Sequence, residues 1–265
     1  MNAINTQAQE IASPRPRRGT LFTRLRSYCV FVPLVYLYTF VLGIFSLLSS
    51  LFDRGGRVQH EFARLWSRMI LKTGFVPLHV EGLQNIDPAR PAVYAANHLS
   101  ALDIPALYAA VPGQFRIMAK KELFRYPVLG WHLKRSGQIP IVFGDAHASV
   151  GSLKRAGRTL RKGLPLMVFP EGGRSPSGQL QPFMGGAFFA AIAEQVPVIP
   201  IAIIGTYELL PMNSFHAVPG PLDVIIGRPI PTTGMRLRDM DKVAAQVRDA
   251  IAEMYNSRAR IAPNL

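Results

Sequence analysis

The longest apolar run comes early in the chain. From Cys29 to Phe52 it reads CVFVPLVYLYTFVLGIFSLLSSLF, without one charged residue. A helix needs about 20 such residues to match a bilayer core, so the run predicts a membrane-associated helix. Pro33, Gly43 and the serines at 46, 49 and 50 leave two forms open, a single span and a kinked or re-entrant element. Ahead of it lies a basic lead, residues 1–27, with Pro14, Arg15, Pro16, Arg17, Arg18 and Gly19; it reads as disordered. Behind it, Phe62, Leu65, Trp66, Met69 and Ile70 recur at spacings of three and four, with Arg64 and Arg68 elsewhere on the wheel. That is an amphipathic helix, lying at an interface or packed on the next domain. Residues 28–74 therefore form a membrane-associated helical segment.

After residue 75 the pattern changes. Short apolar runs at 91–96, 138–143, 164–169, 196–204 and 222–227 read as strands. Helical stretches alternate with them. One begins at Asp103, the expected N-cap, with Pro105 in its first turn. Another spans 146–162, with Val150, Leu153 and Leu160 on one face and Lys154, Arg155, Arg158, Arg161 and Lys162 on the other. Its basic side suits an anionic membrane, a phosphorylated donor or plain solvent. Residues 183–195 are small and apolar, a buried helix. Val243, Val247, Ile251 and Met254 mark a terminal amphipathic helix after a cap at Asp239. Interleaved strands and helices predict an α/β fold over 75–265, a mixed sheet covered by flanking helices.

Composition narrows the partners. Charged residues make up 17% of the 265 residues, below the roughly 25% of ordinary soluble domains, and apolar residues 49%. The net charge of +14 suits phospholipid headgroups, phosphorylated substrates or nucleic acid. The aromatic residues sit in apolar runs and not among the basic ones, which sets nucleic acid aside. Both flanks of the apolar run are basic, so the positive-inside rule gives no orientation. Balanced flanks fit a segment that enters and leaves one anionic leaflet better than a span. A lone cysteine, Cys29, excludes an intramolecular disulfide and a cysteine metal site. The six histidines form no HExxH array, and no cluster has metal spacing. Neither a metal nor a resident cofactor is expected.

Two constellations come directly after strands, where the sites of α/β sheets gather. In the first, His98 precedes Asp103 by five residues. If the chain turns between them, the carboxylate returns to one imidazole nitrogen and leaves the other as a general base. The plainer alternative is a helix-capping Asp103 beside an ordinary loop histidine. Asn97 either caps locally or holds the turn. The second constellation is Phe169-Pro170-Glu171-Gly172-Gly173-Arg174-Ser175. Gly172 and Gly173 let the backbone turn tightly near a ligand. Arg174 offers a planar fork suited to phosphate. Glu171 binds a hydroxyl or orients Arg174, and a surface turn with a local Glu–Arg pair is the simpler alternative. Walker and dinucleotide glycine patterns are absent.

Taken in order, these segments resemble the glycerophospholipid acyltransferase family, which includes the 1-acylglycerol-3-phosphate acyltransferases. Asn97-His98 through Asp103 matches the family's first block. Phe169 to Ser175 matches its third, with Gly173 in the threonine place, and Val196-Pro197-Val198-Ile199-Pro200 matches its apolar fourth. The resemblance spans roughly residues 75–230. It implies that His98 deprotonates an acceptor hydroxyl and Asp103 orients it. It also implies that Asn97, Glu171, Gly172, Gly173 and Arg174 serve the acceptor, with Arg174 near its phosphate. The acyl donor would be acyl-CoA or acyl-carrier protein, and N-terminal helices would dock the chain on a phospholipid membrane.

The second block departs from the family pattern. An arginine commonly comes after the strand there, but the run is Gly137-Gln138-Ile139-Pro140-Ile141-Val142-Phe143-Gly144-Asp145. A basic residue common after the third block is Met184 here. Both changes remove positive charge from the acceptor side, unless Arg135 or Arg174 compensates. The expected function is O-acyl transfer to a lysophospholipid, 1-acyl-sn-glycerol-3-phosphate first. Three alternatives stay open: another acceptor such as an amino-acid-containing lyso-lipid, thioester hydrolysis, and an inactive membrane-bound scaffold. The expected place is the cytoplasmic (or inner) membrane, with the catalytic domain facing the cytoplasm.

Overall fold

The computed structural model describes residues 14–142 and 146–261. Helix α1 (Leu21–Arg26), a π-helical turn (Ser27–Phe31) and α2 (Val32–Ser49) run on as one 29-residue helix. The helix starts inside the stretch expected as a disordered lead, which corrects that boundary; residues 1–13 lie outside the described residues. The physical reason is a set of long-range tethers. Arg26 donates to the carbonyls of Gly74 (3.2 Å) and Ala217 (2.8 Å), and the Ser27 hydroxyl donates to Ala217 O at 2.9 Å. Helix α3 (Arg57–Gly74) returns alongside, joined by a Trp66 to Thr39 bond of 2.9 Å and a Tyr38–Thr73 hydroxyl pair.

The rest alternates. In chain order come β1 (Leu78–Glu81), β2 (Val93–Ala96), α4 (Asp103–Ala110), β3 (Arg116–Lys120), α5 (Leu129–Arg135) and β4 (Ile139–Ile141). Next are α6 (Ala146–Arg161), β5 (Leu166–Val168), α7 (Phe189–Ala193), β6 (Val198–Ile204), α8 (Thr206–Leu209), β7 (Leu222–Ile226) and α9 (Met240–Ile261). The strands form one sheet in the order β1-β7-β6-β2-β5-β3-β4. Pairing is parallel except between β6 and β7, so the sheet is mixed. In β2, Tyr94 and Ala96 face one hydrophobic cluster while Val93 and Ala95 face the other. All four are buried, because helices cover both sheet faces.

Strands β1 and β3 have no counterpart among the expected ones. The stretch expected as one buried helix over 183–195 is a 3-10 turn (Gly185–Phe188) continued by the five-residue α7. Two successive glycines at 185 and 186 make a poor helix start. The antiparallel reversal at β7 leaves β2, β5 and β3 side by side and parallel. Their C-terminal ends therefore share one edge, and both constellations meet there.

Candidate active site

The first segment turns back at once after β2. His98 Nδ1 lies 2.8 Å from Asp103 Oδ2. The same oxygen accepts the backbone N–H groups of Leu99 (2.7 Å) and Ser100 (2.8 Å). Asp103 is fully buried and opens α4, with Leu102 at the cap position. The expected N-cap role is corrected accordingly: the carboxylate gathers donors from the loop before the helix, and the imidazole is one of them. Donation from Nδ1 to the carboxylate fixes the tautomer and leaves Nε2 as an acceptor. The imidazole stacks on Phe169, with ring centroids 4.1 Å apart. Phe169 comes directly after β5, the neighbour of β2.

Asn97 and Glu171, expected at the acceptor, are buried and are not among the residues that line the cavity. Asn97 is fully buried. Its amide donates to Ile203 O (2.8 Å) and its carbonyl accepts from Ile203 N–H (2.7 Å). The side chain thus imitates one more rung of the β2–β6 ladder, because β2 ends where β6 continues. Glu171 is 8% exposed. Its Oε1 accepts the His98 backbone N–H at 2.7 Å and its Oε2 accepts that of Gln181 at 3.0 Å. Burial pushes its carboxyl up to about 8, against the lowering effect of those two backbone donors. Both carboxyl oxygens are thus committed to the main chain around His98. Ser175 N–H adds a 2.9 Å bond to His98 O.

Gly172, Gly173 and Arg174 do reach the open side. Gly172 has φ 74°, a left-handed turn that a side chain would strain. With His98 these three residues line a cavity of about 520 Å³, which runs between the sheet edge and the N-terminal helices. Leu42, Gly43, Phe62, Trp66, Tyr108, Met118, Val128 and Leu133 supply its apolar wall. Its size lies in the range of small-ligand sites, ~300–1,000 Å³. Lys120, at the end of β3, lines it as well, and its Nζ stands over Gly173. Lys120 and Arg174 are both exposed. Arg135, expected as a compensating cation, is not among the lining residues. Lys120 went unnoticed because β3 did; a cation ending a strand beside β5 was the signal available. Phe143 and Gly144 of the altered second block lie outside the described residues. Among the described residues, no group of three or more His, Cys, Asp or Glu stands ready to hold a metal.

A family model described as Acyltransferase matches residues 77–204. The chain is 37% identical over 210 residues to the chloroplastic 1-acyl-sn-glycerol-3-phosphate acyltransferase BAT2 of Brassica napus, covering 78% of this chain and 59% of that relative. It is 36% identical to the chloroplastic LPAT1 of Arabidopsis thaliana, covering 79% and 60%. The chain thus spans about six-tenths of the length of these two plant relatives. The fold is similar to the crystal structure of the 1-acyl-sn-glycerophosphate (LPA) acyltransferase, PlsC, from Thermotoga maritima. There the TM-score is 0.71 at 28% identity, covering 88% of this chain and 95% of that one.

Proposed function

Residues 77–204 match an acyltransferase family model, and on that premise we propose that the chain moves a fatty acyl group from a thioester donor to the hydroxyl of 1-acyl-sn-glycerol-3-phosphate. The observation that carries the reading is the 2.8 Å His98–Asp103 bond at the rim of an apolar cavity. His98 Nε2 takes the proton of the acceptor hydroxyl as its oxygen attacks the thioester carbonyl carbon. Asp103 holds the ring and stabilises the imidazolium that forms. The tetrahedral intermediate collapses, the C–S bond breaks, and the thiolate leaves with the proton returned by His98. The products are the new ester and a free thiol, of CoA or of acyl-carrier protein. No protein nucleophile is needed.

Lys120 and Arg174 supply the positive charge that the altered second block and Met184 lack. Two cations at one mouth suit a phosphate monoester, which favours the phosphate-bearing acceptor over an amino-acid-containing lyso-lipid. The dyad itself speaks against an inactive scaffold, since no structural demand requires the imidazole to sit at a cavity.

Among the described residues, one helix, Leu21–Ser49, is long and apolar enough to cross a membrane, and 11% of its most apolar window is buried. Its tethers favour a different placement. Residues 26 and 27 are bonded to Ala217, residue 39 to Trp66 and Ser46 to His132 (2.7 Å). An upright span would pull those polar elements into hydrocarbon. We read the helix as lying in one leaflet, with the cavity opening beside it to lipid. The leaflet would be the cytoplasmic one, where the thioester donors are made.

The test is an acceptor panel. Full-length protein in phospholipid vesicles receives labelled acyl-CoA or acyl-carrier protein with 1-acyl-sn-glycerol-3-phosphate, an amino-acid-containing lyso-lipid, or no acceptor. The reading predicts diacyl product with the phosphate-bearing acceptor. Free fatty acid as the main product in every arm would make the chain a hydrolase.

A further inference from the structure

A second apolar surface stands outside the long helix, beside the cavity mouth. In residues 121–135, Tyr126 is 59% exposed, Trp131 54%, Leu129 38% and Leu123 37%. The segment comprises a 3-10 turn (Lys121–Arg125) and α5. Exposed Lys121, Arg125, Lys134 and Arg135 flank these four side chains, against one exposed acid, Glu122. Apolar bodies within a basic rim complement an anionic lipid surface.

The segment is clipped to the long helix. Val128 has φ 59° and ψ −63°, and Leu129 N–H bonds back to Pro127 O at 2.6 Å. That is a tight γ-turn, strained for a β-branched residue. The strain aims the Val128 side chain at Gly43, where any β-carbon would collide with it. One turn along α2, the Ser46 hydroxyl meets half-buried His132 Nδ1 at 2.7 Å. Gly43 and Ser46 share a helix with exposed Phe40, Phe45 and Leu48. The depth at which the helix rests on a membrane therefore sets the depth of Trp131 and Tyr126.

We propose that residues 121–135 form a second membrane-contacting element, which seats Trp131 and Tyr126 at the headgroup–acyl boundary of an anionic leaflet beside helix α2. This rests on the reading that the long helix lies in one leaflet. It adds a fixed tilt: contact on both elements points the cavity mouth, with Val128 and Leu129 in its wall, at the lipid phase.

The chain has two tryptophans, Trp66 and Trp131. Trp66→Phe leaves Trp131 as sole reporter in the full-length protein. The probe is a vesicle of phosphatidylcholine and phosphatidylglycerol whose acyl chains carry bromine near the carbonyl end. The expected result is a blue shift and about two-fold loss of Trp131 emission on binding, since interfacial side chains sit ~5–10 Å deep. If Trp66→Phe does not fold, the same quenching is read as the part lost between wild type and Trp131→Phe. Co-sedimentation with vesicles but unchanged Trp131 emission would overturn this inference and leave the docking of the long helix standing. No co-sedimentation of the wild-type chain would overturn both. A blue shift that grows with protein concentration without vesicles would assign the patch to a second copy of the chain instead.

Discussion

The two ends of the cavity mouth are built on opposite plans. At the dyad end, the polar groups around His98 are committed, apart from Asp103 Oδ1, which is buried with no hydrogen-bond partner among the described residues. Asp103 Oδ2 holds three donors, Asn97 completes a ladder with Ile203, and Glu171 spans His98 and Gln181. At the other end, Lys120 and Arg174 stand exposed at the rim. The difference stems from what each end must do. Proton transfer needs the imidazole placed to within a fraction of an ångström, so its neighbours are buried and over-determined. A phosphate can be held by mobile cations in water, at a cost mainly in affinity.

The contrast between the two ends is sharpest at His98. His98→Ala is expected to lower kcat for acyl transfer by about 10³-fold or more, since loss of a positioned base removes at least ~10²–10⁴ of rate. Vesicle binding should not change. Steady-state rates and co-sedimentation on the same preparation check this; a rate within about 10-fold of wild type would mean another base.

Glu171 tests whether commitment to the backbone matters without contact to substrate. Glu171→Gln keeps one acceptor and turns the other oxygen into a donor facing an N–H group. A drop of about 10-fold in kcat with little change in KM is expected, in line with a lost buried hydrogen bond of ~1–3 kcal/mol. Its acidity gives a second readout. Burial raises this carboxyl from 4.5 to about 8. Between those values the folded chain holds a proton that the unfolded chain has released, so stability falls as pH rises through that window. Thermal melts of wild type across it should show the decline, and Glu171→Gln should flatten it.

The smallest effect belongs to the open end. Met184 is 40% exposed, and its N–H bonds Pro170 O beside the Glu171–Arg174 turn. Met184→Lys should lower the acceptor KM about two- to three-fold at low salt. The gain should fade as salt shortens the Debye length to ~8 Å and below. A gain that persists in high salt would be packing and not charge.

The same division explains what could be read along the chain. Strands β2, β5 and β6 announce themselves as apolar runs, because both of their faces are covered; β7 is legible although its burial alternates. Strand β3 does not: Arg116 and Lys120 bracket three apolar residues, and the charge of Arg116 is hidden by a 2.7 Å bond to Gly55 O. Missing β3 meant missing Lys120. The His98–Asp103 pair was legible because its members are five residues apart. The work of Asn97 and Glu171 was not, since their partners lie 106 residues (Ile203) and 73 residues (His98) away in sequence. A motif shows which residues matter sooner than it shows whether they touch substrate or hold what does.

The most direct measurement of that division sets two variants side by side on one acceptor. Asp103→Asn and the double variant Lys120→Ala/Arg174→Ala would be assayed with 1-acyl-sn-glycerol-3-phosphate in identical vesicles, with kcat and KM resolved separately. For the first, a loss of about 10²-fold or more in kcat is expected, with KM nearly unchanged. For the second, a rise in KM of about 10-fold or more is expected, with kcat largely kept. Both losses falling in the same kinetic parameter would contradict the division between a positioned base and an open cationic rim.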